Sequence, residues 1–171
     1  MDAEIAVTVE AAAWTAALPD AEDRCHTFAA AALGAGELGE GPVEVSIVLA
    51  DDDRVQAMNR QYRGQDKPTN VLSFATLDDE DAPLPVGAPL LLGDVVLAFE
   101  TMQREALEQG KPLADHFGHL VVHGVLHLLG FDHEDDADAT EMESLERAIL
   151  AALGVPDPYA PHTPEEGDDG P

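Results

Sequence analysis

The sequence predicts an α+β (α/β-like) fold in which one mixed four-stranded sheet packs against helices. Stretches in which apolar and polar residues alternate have the period of half-buried strands, and longer stretches between them have the period of helices. Along the chain these segments come as strand, helix, strand, helix, two strands and three helices. One helix towards the C-terminal end is apolar on nearly every side, so we expect it at the centre of the fold, against the sheet.

Four segments have the composition of strands. The first two have hydrophobic residues at every second position, whereas the fourth is a longer apolar run that contains one aspartate. The predicted strands cover residues 5–9, 43–49, 70–74 and 91–99.

Capping residues and glycines delimit the predicted helices. Aspartates stand where the first two helices begin, and glycines stand where several helices end. The predicted helices run from Asp20 to about Leu33, from Asp51 to Gly64, up to Gly110, from Pro112 to about Leu129, and from about Ala137 to Leu153.

Length and composition indicate one folded domain, residues 1–156, followed by a tail, residues 157–171. The chain has 171 residues, of which 45% are hydrophobic, and this is enough for a single buried core. The tail is acidic and rich in proline and glycine, so we predict that it is disordered. Residues 77–89 contain acids and prolines without an apolar period and are predicted to form a mobile loop.

The protein is strongly acidic, with 35 acidic residues against 8 basic ones and a net charge of -27. Such a surface is expected to repel polyanions. Half of the basic residues lie in one fourteen-residue stretch, as Arg54, Arg60, Arg63 and Lys67. They could form a local positive patch, or they could pair with the neighbouring Asp51, Asp52, Asp53 and Asp66. Charge alone favours the pairing.

The compartment is predicted from what the sequence does not contain. Cys25 is the single cysteine, which excludes an internal disulfide and suggests a reducing compartment. The N-terminus lacks the basic flank of a signal peptide. The longest apolar run, residues 120–131, is too short to span a bilayer. We therefore expect a cytoplasmic protein with no membrane partner.

Three histidines, His123, His127 and His133, lie within eleven residues. The first two are four residues apart and would point the same way from a helix. Gly130 can end that helix in the left-handed conformation, and the chain can then fold back and bring His133 to the same ion. Three imidazoles without a fourth protein ligand are typical of a catalytic zinc rather than a structural one. We predict one zinc ion per chain, bound by these three residues.

Zinc bound by neutral imidazoles lowers the pKa of a bound water molecule from ~15.7 to ~7, which supports hydrolysis of an ester, amide or phosphodiester. The ligand offsets of four and ten residues match those of the metzincin peptidases. However, Gly124 stands where the His-Glu-x-x-His motif places its general base. A peptidase would therefore need an unusual base.

Residues 62–74 contain groups that suit a phosphodiester substrate. Hydrolysis of such a bond is helped by cationic donors that meet the non-bridging oxygens as negative charge builds. Arg63 has the planar guanidinium that fits phosphate, and Thr69, Asn70 and Ser73 add short polar side chains. Arg63 is therefore a candidate catalytic residue.

Two further histidines stand before His123 on the same predicted helical stripe. We expect His116 to be a polar residue near the start of the helix that meets solvent. His119 is a candidate for a contact at the edge of the site. Asp132 could either orient an imidazole ring or cap the turn.

Together, the two motifs resemble those of the YbeY family of bacterial endoribonucleases. Residues 123–133 meet the family pattern His-Gly-x-Leu-His-Leu-x-Gly-(Tyr/Phe)-Asp-His without exception. Residues 62–74 match the family segment Tyr-Arg-x-x-Asp-x-x-Thr-(Asp/Asn)-Val-Leu-Ser-Phe, and residues 92–94 match its Leu-Gly-Asp segment. The resemblance extends over residues 43–159.

The resemblance implies a single-strand-specific endoribonuclease with one zinc on His123, His127 and His133, and it makes Arg63 the key residue of the cleft besides the ligands. It implies a role in maturing the 3′ end of 16S ribosomal RNA and in ribosome quality control. The expected partners are rRNA and the ribosome or a small-subunit ribosomal protein, and no DNA partner is expected. Many family members have lysine where this chain has Gln65, which would weaken one phosphate contact. RNA affinity should then be low and salt-dependent.

Three other functions stay open at this stage. They are a zinc peptidase with an unusual base, a non-catalytic ribosome-assembly factor whose zinc only holds the fold, and a hydrolase of a small phosphoester. Imidazole ligands also suit nickel, copper and iron. The nucleophile could be zinc hydroxide or the 2′-hydroxyl of the RNA, and a 2′,3′-cyclic phosphate product would exclude direct attack by water.

Overall fold

Four strands form one mixed sheet. The computed structural model describes residues 2–34, 42–64, 69–75, 90–131 and 136–158. The strands are β1 (Asp2–Val9), β2 (Pro42–Ala50), β3 (Val71–Ala75) and β4 (Leu90–Ala98). Their order across the sheet is β1-β2-β4-β3; β1, β2 and β4 are parallel, and β3 is antiparallel to β4. The predicted α+β fold with a mixed four-stranded sheet is confirmed.

Six helices are present among the described residues. They are α1 (Ala12–Ala17), α2 (Ala21–Leu33), α3 (Asp52–Arg63), α4 (Phe99–Gln109), α5 (Leu113–Leu128) and α6 (Asp136–Ala152). Five of them match predicted helices, whereas α1 was not predicted. A short helix here is explained by Trp14, which is fully buried and whose Nε1 donates to the carbonyl of Ala50 at 2.8 Å. Tertiary contacts therefore stabilise a helix that is too short to be stable alone.

The helix boundaries follow from capping interactions. The Asp51 side chain accepts a hydrogen bond from the backbone N–H of Arg54 at 2.8 Å, and Gly64 ends α3 with φ at 70°. Asp20 also stands at a helix start, but its side chain makes no capping hydrogen bond and accepts from Arg24 Nε at 2.9 Å instead. The position of this predicted cap was right and its interaction was wrong.

Helix α5 lies at the centre of the fold, as its composition predicts. It contacts α2, α4 and α6 as well as β3 and β4. Its fully buried side chains include Phe117, Val121, Val122, Val125 and Leu126. A helix so enclosed gives the side chains that project from it little freedom, which is what a precise site requires.

The opposite face of the sheet is covered in part by α3. Val55 of this helix is fully buried in a second, smaller cluster with Ala50, Leu72, Val96 and Ala98. This packing sets the position of α3, and Arg63 is the last residue of that helix. No helix among the described residues is long and apolar enough to cross a bilayer.

The described chain ends just after the predicted domain boundary. Lys111 Nζ donates to the carbonyl of Pro158 at 2.9 Å, and Arg147 Nε donates to Asp157 at 3.1 Å. These contacts attach the first two residues of the predicted tail to α6 and to the turn between α4 and α5. The rest of that tail and the predicted loop at residues 77–89 lie outside the described residues, so both stay predictions.

Candidate metal centre

Helix α5 presents four histidines along one stripe, at spacings of three, four and four residues. They are His116, His119, His123 and His127. Neighbouring ring centroids along the stripe are 6.1, 6.1 and 4.6 Å apart. The rings therefore draw together towards the C-terminal end of the helix, where the predicted metal ligands lie.

The last two rings of the stripe have a geometry that fits a shared ion. The Nε2 atoms of His123 and His127 face each other at 3.1 Å, and both residues are partly exposed. Two imidazole nitrogens bound to one tetrahedral zinc at ~2.05 Å would be about 3.3 Å apart. A small rotation of either ring gives that separation. The pair therefore fits two positions of a zinc site that can be reached from solvent.

The chain turns sharply after these histidines. Gly130 has φ at 100°, its N–H bonds the carbonyl of His127 at 3.0 Å, and the Phe131 N–H bonds the carbonyl of Leu126 at 3.1 Å. These two bonds form a Schellman motif, for which glycine is favoured because it accepts a positive φ. The predicted helix end at Gly130 is confirmed. His133 and Asp132 lie outside the described residues, so the third ligand stays a prediction.

Helix α6 contributes a carboxylate to this end of α5. Glu146 is fully buried, its Oε2 lies 2.5 Å from His123 Nδ1, and its Oε1 lies 3.4 Å from His119 Nε2. Ligand atoms of His119, His123 and Glu146 all lie within 4.8 Å of one another, so this group too could hold a metal ion. His123 belongs to both arrangements.

The hydrogen-bonding role of His119 follows from its burial. Burial lowers the pKa of His119, and it outweighs the opposite effect of the Glu146 carboxylate. A neutral imidazole can still donate one N–H, so His119 can satisfy the carboxylate without carrying a charge. The expectation that His119 touches the edge of the site agrees with its contact to Glu146.

Sequence reasoning missed Glu146, although a signal for it exists. Met142, Glu146 and Leu150 are four residues apart, and all three are almost fully buried. A glutamate in the middle of an apolar helical stripe is a poor choice for packing, because burying a charge is costly unless it is paired. Such a residue should be read as the partner of a buried donor.

A second carboxylate meets the other end of α5. Glu105 of α4 accepts from His116 Nε2 at 2.9 Å and from Asn70 Nδ2 at 3.0 and 3.3 Å. His116 is only 3% exposed, so the expectation that it meets solvent is wrong. Burial acts to raise the pKa of Glu105, but the hydrogen bonds from His116 and Asn70 outweigh it and lower the pKa.

Gly124 lies where α5 packs directly against β3 and β4. A Cβ at this position would be 2.6 Å from Val95 Cγ1 and 3.3 Å from Val71 Cγ2. The side of the helix that would hold the glutamate of the peptidase motif therefore faces packed strands. A longer side chain there would displace β3 or β4 before it could reach the histidines.

The predicted phosphate-binding segment is described only in part. Arg63 ends α3, and its side chain lies outside the described residues, as do Gln65 and Lys67. Asn70 and Ser73 each donate a hydrogen bond to another part of the protein. The Asn70 amide donates to Glu105, and the Ser73 hydroxyl donates to the carbonyl of Gly124 at 3.0 Å.

The basic stretch before this segment is also partly described. Arg54 Nε is 3.8 Å from a carboxylate oxygen of Glu10, whereas charge patterning suggested the nearby aspartates as its partners. Asp52 instead accepts from the backbone N–H and the hydroxyl of Thr101, both at 2.9 Å. These contacts fix the start of α3 against α4.

Comparisons with known proteins agree with the fold and the motifs. The model of the family described as Endoribonuclease YbeY matches residues 9–154. The chain is 69% identical to Endoribonuclease YbeY of Paramagnetospirillum magneticum, over 91% of this chain and 95% of that protein. It is 56% identical to Endoribonuclease YbeY of Rhodospirillum rubrum, over 86% of this chain and 76% of that one.

A solved structure has a similar fold. A protein of Thermotoga maritima, determined in solution, is 25% identical with a TM-score of 0.55, and the match covers 88% of this chain and 89% of that one. The architecture is thus that of an α+β protein with a cluster of possible metal ligands on its central helix. The chain belongs to the YbeY endoribonuclease family, which confirms the resemblance drawn from the two motifs.

Proposed function

We propose that this protein is a zinc-dependent endoribonuclease that cleaves single-stranded RNA. The observation that carries the proposal is the pair of Nε2 atoms, on His123 and His127, that face each other 3.1 Å apart at the partly exposed end of α5. The chain belongs to the YbeY endoribonuclease family, and together with His133 this pair would supply three imidazole ligands and leave one position for substrate.

The residues divide the work between binding and charge stabilisation. His123, His127 and His133 would hold the ion, and zinc at that place supplies hydroxide at neutral pH by lowering the pKa of water to about 7. Arg63 binds the scissile phosphate and neutralises the negative charge that develops on its oxygens. Either water or the RNA 2′-hydroxyl is the nucleophile, and analysis of the product ends distinguishes them.

The nearby polar residues have another task in this proposal. Asn70 and Ser73 already use donors in hydrogen bonds to Glu105 and to the Gly124 carbonyl. They therefore hold the end of the segment that begins at Arg63, and we assign no phosphate contact to them. Arg63 and the cations close to it in sequence then provide the attraction for RNA.

The cellular role we propose is maturation of the 3′ end of 16S ribosomal RNA, together with ribosome quality control, in the cytoplasm. A net charge of -27 makes free RNA a weak ligand, because long-range repulsion opposes its approach. A ribosome or a small-subunit ribosomal protein that holds the RNA end near the cleft would overcome this repulsion. Packing at Gly124 weighs against the peptidase alternative, since it leaves no room for the usual base.

The test is cleavage of a labelled single-stranded RNA by zinc-loaded wild type, His127→Ala and Arg63→Ala. We expect His127→Ala to lose both zinc and cleavage. Arg63→Ala should keep its zinc and lose about 100- to 1,000-fold in rate, the usual cost of removing one donor to a developing oxyanion. A matched RNA duplex should be cut far more slowly than the single strand.

Two results would overturn the proposal. If Arg63→Ala and His127→Ala cleave RNA as fast as wild type, the activity belongs to a contaminating nuclease. If the wild type binds zinc but cuts peptides and leaves RNA intact, the peptidase alternative is correct. Measuring the zinc content of each preparation by elemental analysis keeps these two outcomes separate.

A further inference from the structure

Glu146 is a fully buried carboxylate that contacts the candidate metal centre and that the proposed reaction does not use. It comes from α6, whereas the histidines come from α5, so its position depends on the packing of two helices. Burial of an ionised carboxylate is costly unless it accepts strong hydrogen bonds. Its two oxygens lie 2.5 Å from His123 Nδ1 and 3.4 Å from His119 Nε2.

We propose that Glu146 is a positioning residue for the metal centre and not a ligand. Its carboxylate accepts the Nδ1–H of His123, which leaves the lone pair of that ring on Nε2, the nitrogen that faces His127. The inference rests on the proposed function, since it assumes that His123 and His127 bind the ion. It adds the residue that selects which nitrogen of His123 does so.

The distances favour this role over direct ligation. Two ligand atoms on one tetrahedral zinc are about 3.3 Å apart, whereas Glu146 Oε2 and His123 Nδ1 are at 2.5 Å, a hydrogen-bonding separation. His123 Nε2 and His127 Nε2, at 3.1 Å, have the separation expected of two ligands. A carboxylate that receives the second ring proton of a metal-bound histidine fixes the ring and makes it a stronger base.

His119 has a supporting part in the same arrangement. Its side chain is 13% exposed, and Nε2 approaches the oxygen of Glu146 that His123 does not use. A neutral His119 donating there keeps the carboxylate satisfied on both oxygens. Both His119 and His123 then donate a hydrogen bond to Glu146, and Nε2 of His123 faces the proposed metal position.

The proposal is tested by zinc titration of the metal-free full chain against a coloured competing chelator. Glu146→Gln should weaken zinc binding about 10- to 100-fold, the range found when such supporting hydrogen bonds are removed. The matched control is Glu105→Gln, which changes the carboxylate at the other end of the same helix and should leave the zinc affinity unchanged. His127→Ala gives the effect of losing a ligand.

Each outcome decides the question. Unchanged zinc affinity in Glu146→Gln would overturn the positioning role, and so would a loss as complete as that in His127→Ala, because Glu146 would then be a ligand. If Glu105→Gln lost as much zinc affinity as Glu146→Gln, both effects would be explained by a general loosening of α5, and the positioning role would be contradicted. If wild type itself fails to bind zinc, the proposed function falls as well.

A measurement on the wild type covers the case in which Glu146→Gln does not fold. Long-range ¹H–¹⁵N NMR spectra of the imidazoles report which ring nitrogen of His123 carries the proton. We expect the Nδ1–H tautomer with and without zinc. Observation of the Nε2–H tautomer of His123 in the zinc-free protein would contradict the proposal. If Glu146 had only a structural role, neither tautomer of His123 would be favoured.

Discussion

The two ends of α5 contain the same pair of chemical groups and use them differently. At the N-terminal end, Glu105 accepts from His116 through Nε2; at the C-terminal end, Glu146 accepts from His123 through Nδ1. Both carboxylates come from a neighbouring helix. The two ends differ in which ring nitrogen is hydrogen-bonded to the carboxylate. They differ also in what surrounds the other ring nitrogen.

At the N-terminal end, the other ring nitrogen of His116 faces no polar partner in the part of the chain that the structure describes. His116 Nδ1 is buried and has no hydrogen-bond partner among the described residues, and Asn70 supplies two further hydrogen bonds to Glu105. This end joins α4, α5 and the start of β3. At the C-terminal end, the side chain of His123 is 21% exposed, and its second nitrogen meets His127. A carboxylate–imidazole pair thus holds the fold in one place and, in our proposal, positions a metal ligand in the other.

The largest expected effect concerns zinc-dependent stability. At a zinc concentration about 1,000 times Kd, binding should stabilise the wild type by about 4 kcal/mol. For a chain of this size that is a rise in Tm of about 8–16 °C. His127→Ala should keep far less than a third of this rise, because even a site only 100-fold weaker gains just about 1.4 kcal/mol at the same zinc concentration, and loss of a ligand weakens the site further than that. Thermal unfolding with zinc and with a chelator measures both values.

The control for that prediction is His116→Asn, which alters the other end of the helix. We expect its Tm to be lower than that of wild type in both conditions, with the full rise on adding zinc. A His116→Asn variant that loses the zinc response would show that the two ends do not have separate roles.

The second prediction concerns the stability of the zinc-free protein. His116→Ala removes a buried ring and leaves Glu105 without one of its donors, so we expect a loss of about 2–3 kcal/mol in the free energy of unfolding. Denaturant unfolding in the presence of a chelator measures it. His26→Ala, at an exposed position of α2, is the matched control and should stay within about 0.5 kcal/mol of wild type. Equal effects of the two substitutions would contradict a structural role for the N-terminal end.

Much of the fold was predictable because local signals and tertiary structure agree. Alternation predicted the first two strands and an apolar run predicted the fourth. Asp51, Gly64 and Gly110 marked helix boundaries that the structure confirms. Helix α1 was missed because its six residues have no helical period of their own, and Trp14 fixes it through a contact with Ala50, 36 residues away. Such a contact is invisible to local pattern reading.

The site was predictable where sequence neighbours are also spatial neighbours. His123 and His127 are one helical turn apart, so their pairing follows from helix geometry. Glu146 is 23 residues from His123 in sequence. Glu105 is 11 residues from His116 and lies on the preceding helix. Their partners depend on how helices pack, and no spacing rule gives that. His116 was misjudged for the same reason, since its burial depends on α4.

A smaller effect should appear in acid. The pKa of Glu105 is lowered in the folded protein, so its stabilisation is present above the ordinary value of 4.5 and is lost as the pH falls through the folded value. Glu105→Gln lacks this titration. The stability difference between wild type and Glu105→Gln should therefore shrink as the pH falls from about 6 to about 3.

Denaturant midpoints measured in a chelator test this, because they remove any contribution from bound metal. Glu108→Gln, an exposed substitution on the same helix, controls for the general effect of removing a negative charge from an acidic protein. A difference between wild type and Glu105→Gln that is constant over the whole pH range would contradict the assignment of the hydrogen-bonded carboxylate to the N-terminal end.

The smallest expected effect lies between the two ends. Ser73 of β3 donates to the carbonyl of Gly124, which is adjacent to His123 in sequence, while β3 begins next to Asn70. Ser73→Ala should cost about 0.5–1.5 kcal/mol of stability, the worth of one such hydrogen bond, and Ser144→Ala on the exposed side of α6 should cost less. Zinc titration of Ser73→Ala then decides how far the ends are independent. If β3 only supports the helix, zinc affinity stays close to that of wild type; if it falls as far as in Glu146→Gln, the orientation of His123 depends on the strand as well as on the carboxylate.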